Sequence, residues 1–397
     1  MTDTATDKAI KDRPFRRTVF FISGFHDFGF RFFWPMLKRG ARDHTKLYGR
    51  PIEVMETDNG ARLEIDDFGR QVDVDYRYLA WNDIATKRIK QPLWQIYWHM
   101  IARILLYHLN GRYFRLMGAY WGFTNGVYYM LLTLLLGSAV TGIVSYWALS
   151  SSLGGVGLWA FILVLSYFVP ALFFDRFESR FRIKLMWLIF RMSSDHAKGK
   201  APDLEARIDD FAKTVGSTFK DKTIDEVVIV GHSYGSIIAT DLAAKLLQNG
   251  PDDGPDLAVL TVGDINALHA IAHDNTQFKE SITRCSTATD LFSWLCIFSP
   301  QDGLNFPKFN TAKEIFGVTD PSWPLFKSML LRRLVTPARY KALKKSFWDM
   351  HFQYFKEGDV QGQYSYFRLI GSARPLIENY GLRPEEEAYA AQHLKAE

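Results

Sequence analysis

The sequence predicts an α/β protein, a doubly wound and mostly parallel sheet interrupted by a two-helix transmembrane insertion. Two stretches carry that expectation. Val227-Val228-Ile229-Val230 is a run of β-branched residues, as a parallel strand covered on both faces requires. Gly231-His232-Ser233-Tyr234-Gly235 then turns it into an apolar-periodic segment that begins at Ser236. The second stretch runs from Leu116 through Phe174 without one charged residue. A spanning helix needs about 20 apolar residues, so this run holds two spans and a short turn.

Composition bounds the rest. A chain of 397 residues suits a large α/β domain plus an insertion. The net charge of +5 is small and dispersed, and no basic stripe with interleaved aromatics lies outside the apolar region, so nucleic acid is not an expected partner. Cys285 and Cys296 alone build neither a disulfide framework nor a zinc site, which fits a reducing compartment. Met1 to Arg17 lacks the apolar core of a secretory signal, and residues 1–16 read as a flexible leader.

Residues 17–91 form the first part of the domain. Thr18 to Ile22 is a buried strand ending in the turn Ser23-Gly24-Phe25-His26-Asp27. A helix is expected from Arg31 to Leu47, with Pro35 near its start. Pro51 to Glu56 is a second strand. Gln71 to Ala80 is a third, half-exposed one, with Val72, Val74, Tyr76 and Tyr78 on one face. Asn59-Gly60 and Phe68-Gly69 mark turns.

Residues 92–191 carry the insertion. Leu93 to Leu109 is an aromatic-rich amphipathic helix, suited to a membrane interface or to packing as a cap. The spans fall at about 119–149 and 157–174, joined through Ser150-Ser151-Ser152-Leu153-Gly154-Gly155. An apolar lid is the competing reading, but lids are usually shorter and charged on their wet face. Arg103, Arg112 and Arg115 precede the run, and Arg176, Arg180, Arg182, Lys184 and Arg191 follow it, while the turn carries no charge. The positive-inside rule therefore places both flanks, and with them both termini and the folded domain, on the cytoplasmic side of a membrane, expected to be a bacterial inner membrane.

Residues 200–380 complete the domain after the linker Lys198-Gly199-Lys200. Leu204, Ile208, Phe211, Ala212, Val215 and Phe219 recur at helical spacing and lead into the strand before Ser233. Ile237, Ile238, Leu242, Leu246 and Leu247 continue a buried helical face that Gly250-Pro251 ends. Leu257 to Val262 and Leu291 to Phe298 are further strands, followed by Gly263-Asp264 and by Ser299-Pro300-Gln301-Asp302-Gly303. Trp323, Phe326, Leu330 and Leu331 suggest a helical region, and residues 381–397 a charged tail.

A serine at the tip of a strand–turn–helix needs a general base, normally a histidine oriented by a carboxylate. In such folds the chain order is serine, acid, histidine. After Ser233 only His269, His273, His351 and His393 occur. His269 and His273 precede Asp302 and fit poorly; their spacing of one helical turn suggests metal ligands, but without a third ligand nearby they read as an ordinary surface helix. His393 lies in the charged tail. Asp302 follows a strand, where open α/β sheets gather their chemistry, and is preferred to Asp264, which also follows one. The triad expected is Ser233, Asp302 and His351. Backbone amides of Tyr234 and Phe25 are the expected oxyanion donors, with Gly24, Gly231 and Gly235 shaping the turns. His26 either assists or faces solvent, and His232 sits beside or beneath the turn.

With Gly231-His232-Ser233-Tyr234-Gly235, the Ser23-Gly24-Phe25 loop, Ser299-Pro300-Gln301-Asp302 and Trp348-Asp349-Met350-His351-Phe352 assembled, the chain resembles the α/β-hydrolase superfamily on its lipase and esterase side, over roughly 17–60 and 200–375. The resemblance implies a serine nucleophile with an acid–histidine relay and no metal or organic cofactor. Two departures stand out: Ser23-Gly24 replaces the frequent His-Gly, and the family's first two strands are missing or replaced, which leaves the strand order at that edge open. The expected activity is hydrolysis of a carboxylic ester, a lipid-derived one being suggested by the membrane anchor, with membrane lipids as neighbours. A non-catalytic membrane scaffold or partner-binding protein on the same fold is the alternative. A transporter fits less well, because spans without charge offer no ion path.

Overall fold

The computed structural model describes residues 13–178, 183–248, 254–272, 276–289 and 292–380. The β-branched run becomes β5 (Glu226–His232), buried at every residue. Val227 and Ile229 join one hydrophobic cluster while Val228 and Val230 join another, so the strand is covered on both faces, as its composition demands. Around it lie β1 (Phe15–Ile22), β2 (Ile52–Thr57), β3 (Gly60–Asp67), β4 (Arg70–Tyr78), β6 (Asp256–Val262), β7 (Phe292–Phe298) and β8 (Leu325–Ser328). They form one eight-stranded sheet in the order β2-β3-β4-β1-β5-β6-β7-β8. From β4 to β8 every neighbouring pair is parallel, and only the hairpin partners β2, β3 and β4 run antiparallel to one another.

Register positions the site. Ile22 pairs with Gly231, and Gly231 with Thr261, so β1, β5 and β6 end level with one another. The loops after them therefore open at one edge of the sheet, where an open parallel sheet collects its functional groups.

Four sequence expectations need correction. The strand β1 starts at Phe15 rather than Thr18, and Arg13 already holds Asp225 at 3.0 and 2.5 Å, so Arg13 to Arg16 of the leader assigned to 1–16 are part of the fold. The turn at Asn59-Gly60 opens a full strand: Ala61, Leu63 and Ile65 of β3 are buried on alternate positions against β4. Phe326 lies in β8, paired with β7, and Leu331 in a short helix, so the apolar spacing reflects an edge strand followed by one helical turn. His26 is 4% exposed, so it does not face solvent. Gly250-Pro251 and the charged tail lie outside the described residues.

The helices before the insertion are α1 (Phe30–Tyr48) and α2 (Asn82–Ile89). Those of the insertion are α3 (Leu93–Leu109), α4 (Arg112–Ala119), α5 (Trp121–Leu149), α6 (Gly155–Arg176) and α7 (Ile183–His196). Two segments, Leu131–Leu149 and Gly155–Arg176, are long and apolar enough to cross a membrane, with only 11% and 22% of their windows buried. That exposure separates them from core helices. Leu136, Ile143, Trp147, Trp159 and Leu163 all face outward. Small residues let the pair approach: a Cβ on Gly137 would lie 3.1 Å from Pro170, and one on Gly142 3.0 Å from the Ser166 hydroxyl.

The insertion is not a separate body. Leu185 to Phe190 of α7 are buried in the same cluster as Ile22, Trp81 and Ile229, together with Ile96 of α3 and Phe174 of α6. Arg103 on α3 pairs with Asp195 on α7 at 2.8 Å. The Arg112 guanidinium donates to the Ala272 carbonyl at 2.9 Å, tying α4 to α10 (Asn266–Ala272). Between them run α8 (Pro202–Thr218) and α9 (Gly235–Gln248).

Candidate active site

Ser233 sits between β5 and α9 with φ +54°, a left-handed conformation that non-glycine residues rarely adopt. The turn is tight because its glycines are indispensable. A Cβ on Gly231 would meet the Gly235 carbonyl oxygen at 2.5 Å, and one on Gly235 would meet the Ile22 carbonyl oxygen at 2.3 Å. The Ser233 amide donates to the Val262 carbonyl at 3.1 Å, and the Ser236 hydroxyl donates to the Ser233 carbonyl at 2.6 Å. These bonds over-determine the strained residue.

The loop after β1 closes over the turn. A Cβ on Gly24 would stand 3.0 Å from the Ser233 Cβ, so glycine lets the loop approach this closely without a shift. Phe25 and Tyr234 pack edge to face at 6.0 Å between ring centroids, and Trp81 packs on both, at 5.9 and 5.4 Å. The Trp81 indole N–H donates to the Ser23 carbonyl at 2.8 Å. The two segments whose amides the sequence nominates, Phe25 and Tyr234, are thereby clamped beside Ser233.

Asp302 and His351 meet. His351 Nδ1 lies 2.9 Å from Asp302 Oδ2, and both side chains are 2% exposed. The Leu304 amide donates to Asp302 Oδ1 at 3.0 Å and the Tyr354 hydroxyl to Oδ2 at 3.0 Å. Burial acts to raise the Asp302 pKa, but the His351 charge and these hydrogen bonds outweigh it and hold the carboxyl below its ordinary value. An ionised acceptor on Nδ1 puts the imidazole proton there and leaves Nε2 as the basic nitrogen.

Gly263 joins the two halves. It follows Val262, whose carbonyl holds Ser233, and its φ is +62°. A Cβ there would lie 3.1 Å from the Tyr354 ring and 3.5 Å from both His351 Cε1 and Asp302 Oδ2. Sequence reasoning read Gly263 only as the end of a strand and gave Tyr354 no role.

The competing residues go elsewhere. Asp264 accepts from the Asn266 amide and side chain, both at 2.9 Å, and burial raises its pKa to about 6. His232 lies beside the site, its ring 4.5 Å from that of His351 and its Nε2 3.3 Å from the His351 carbonyl oxygen. Burial, then the charges of His351 and His26, lower its pKa well below the ordinary value and keep it neutral. The His26 Nδ1 accepts from the Phe28 amide at 3.2 Å; burial and then His351 lower its pKa to about 3. His269 is 1% exposed, so the surface-helix reading is wrong: α10 is enclosed by α7, α4 and neighbouring segments and packs His269 against His196. His273 and His393 lie outside the described residues.

The site borders the apolar insertion. Tyr120, immediately before α5, packs on Phe306 at 6.4 Å and is close enough to Asp302 to feel its charge. No family model, curated relative or solved structure matches this chain.

Proposed function

We propose that the chain is a membrane-anchored serine hydrolase of the α/β-hydrolase kind that cleaves carboxylic esters. The observation that carries this reading is the buried Asp302–His351 pair, at 2.9 Å, set beside a serine at φ +54°. The mostly parallel sheet and the Gly24-Phe25 loop against the turn support it.

In the reaction the Ser233 hydroxyl attacks the ester carbonyl while His351 Nε2 takes its proton. Asp302 stays ionised and stabilises the imidazolium. Amides of Phe25 and Tyr234 receive the oxyanion. Collapse breaks the bond to the alcohol oxygen, which leaves with the proton from His351, and the acyl group remains on Ser233. Water then attacks this acyl-enzyme with His351 as base, and the carboxylic acid and free Ser233 are released. His351 is preferred to His26 and His232 as the base because, among the described contacts of these three rings, it is the one held by a carboxylate.

The anchor favours a lipid-derived ester. Both flanks of the hairpin lie on the cytoplasmic side in this reading, and Tyr120 at the foot of the first span adjoins the acid, so an acyl chain enters from the bilayer side. The burial of Ser233, 5% exposed, favours a second reading in which the fold persists as a membrane scaffold without turnover. Labelling of native membranes with a fluorophosphonate separates them. A hydrolase is labelled and loses the label on Ser233→Ala; a scaffold is not labelled, and a label that survives Ser233→Ala removes Ser233 as nucleophile.

A further inference from the structure

Away from the candidate active site, three helices bring metal-ligating side chains to one buried point. His196 closes α7, Asp241 lies on α9 eight positions beyond the nucleophile, and His269 lies on α10. One ligand atom from each lies within 4.8 Å of the others, and the residues are 5%, 4% and 1% exposed. We propose that His196, Asp241 and His269 form a structural site for a borderline divalent ion of the zinc class, which clips the helix returning from the membrane hairpin to the helix that carries Ser233.

Hydrogen bonding around the cluster is that of ligands rather than of a self-sufficient network. His196 Nε2 lies 2.8 Å from Glu205 Oε1 and 3.7 Å from Asp241 Oδ2, while its Nδ1 is buried without a partner among the described residues. A carboxylate on one ring nitrogen fixes the tautomer and leaves the lone pair on the other, which is the outer-shell arrangement metal-ligating histidines have. His269 Nδ1 lies 3.2 Å from both the carbonyl oxygen and the hydroxyl of Ser193; a carbonyl can only accept, so the proton belongs on Nδ1 and Nε2 is the nitrogen able to ligate. The Ser281 hydroxyl reaches the Asp241 carboxylate, yet Asp241 Oδ1 is buried and has no partner among the described residues.

His196 and Asp241 thus approach each other at this point beside a second imidazole, and each keeps one buried acceptor, Nδ1 and Oδ1, with no partner among the described residues. Buried acceptors without donors are costly, and a cation satisfies them together. Two imidazoles and a carboxylate form the donor set that zinc and its neighbours take. Bonds of about 2.0–2.1 Å hold tetrahedral ligands about 3.3 Å apart, so loading draws these side chains in by about an ångström. One ligand comes from the insertion's return helix α7 and two from α9 and α10 of the sheet domain, so the ion would couple anchor and catalytic half. This inference is independent of the hydrolase reading.

The test uses the full chain, purified in detergent without a histidine tag from zinc-supplemented cells. The expected result is about one zinc per chain by elemental analysis, and a loss of thermal stability on chelation that zinc restores. Cobalt loaded into the stripped protein should show the visible bands of a four-coordinate ion. The double variant His196→Gln/Asp241→Asn should bind neither metal. Folded wild-type protein that carries no zinc and gives no cobalt bands overturns the proposal, and so does a folded double variant that keeps its metal. If the double variant does not fold, the wild-type zinc content and cobalt spectrum decide.

Discussion

His351 Nδ1 reaches Asp302 Oδ2 across 49 residues of chain, and the Tyr354 hydroxyl donates to the same oxygen at 3.0 Å. Asp302→Asn removes the anionic acceptor and turns an N–H toward Nδ1. The imidazole then holds its proton on Nε2 and cannot accept from Ser233. Ester turnover at neutral pH should fall about 10⁴-fold. Asp264→Asn should leave turnover nearly unchanged, since that carboxyl is engaged by Asn266. Steady-state kinetics on both variants check the assignment, and the opposite ranking would transfer the acid role to Asp264.

The glycines separate folding from chemistry. At Gly235 an added Cβ meets backbone, the Ile22 carbonyl oxygen, at 2.3 Å, so Gly235→Ala should destabilise the fold by about 1–3 kcal/mol or more, read by denaturation. At Gly24 the added Cβ meets the Ser233 Cβ at 3.0 Å, a contact that a small loop shift relieves. Gly24→Ala should therefore keep most of the stability but slow fluorophosphonate labelling, because that loop bears the Phe25 amide.

The sequence shows this much of the site for identifiable reasons. The turn around Ser233 is legible because its demands are local: a β-branched run, two flanking glycines and a following helix. Asp302 and His351 are legible through chain order and through the strand that ends before Asp302. Gly263 and Tyr354 are not, because their roles exist only once β6 and the segment after His351 are brought together. The strand β3 hides because its burial alternates over a short stretch ending in Asp66-Asp67, between two turn signals. The cluster of His196, Asp241 and His269 is invisible in the sequence, since its members come from three separate helices.

Stability against pH carries a signature of Asp264. Burial raises its folded pKa to about 6 from an ordinary 3.8. The native state therefore holds this proton over a window in which the unfolded chain has released it. A raised carboxyl pKa favours the fold fully below pH 3.8, and that contribution is lost as pH climbs to about 6. The loss is about 2–3 kcal/mol. Asp241 is raised to a similar value by burial, so the total slope is shared. The difference between wild type and Asp264→Asn isolates one group. Denaturant midpoints at pH 4, 5, 6 and 7 should show the variant gaining on wild type through the window, by up to about 2–3 kcal/mol. A constant offset would mean that Asp264 titrates alike in both states.

The hairpin makes a geometric prediction of its own. The two apolar helices end at a turn, Ser150 to Gly154, that carries no charge, whereas their other ends lead into α4 and toward α7, which pack on the sheet domain. Both long helices are exposed along most of their length, and their contact is made through Gly137 and Gly142. If a bilayer covers that exposed surface, the turn must emerge on the face opposite Ser233. The arginines beside both flanks favour the cytoplasm for the domain. A cysteine at Ser152, in a background without Cys285 and Cys296, should react with an impermeant maleimide from the non-cytoplasmic side of intact cells. One placed at Lys220, on the sheet domain, should react only after the membrane is opened. Reaction at Lys220 but not at Ser152 before opening would place the domain outside, and reaction at both would mean that the helices do not cross. Reaction of neither until opening would mean that the helices lie along the cytoplasmic face rather than crossing.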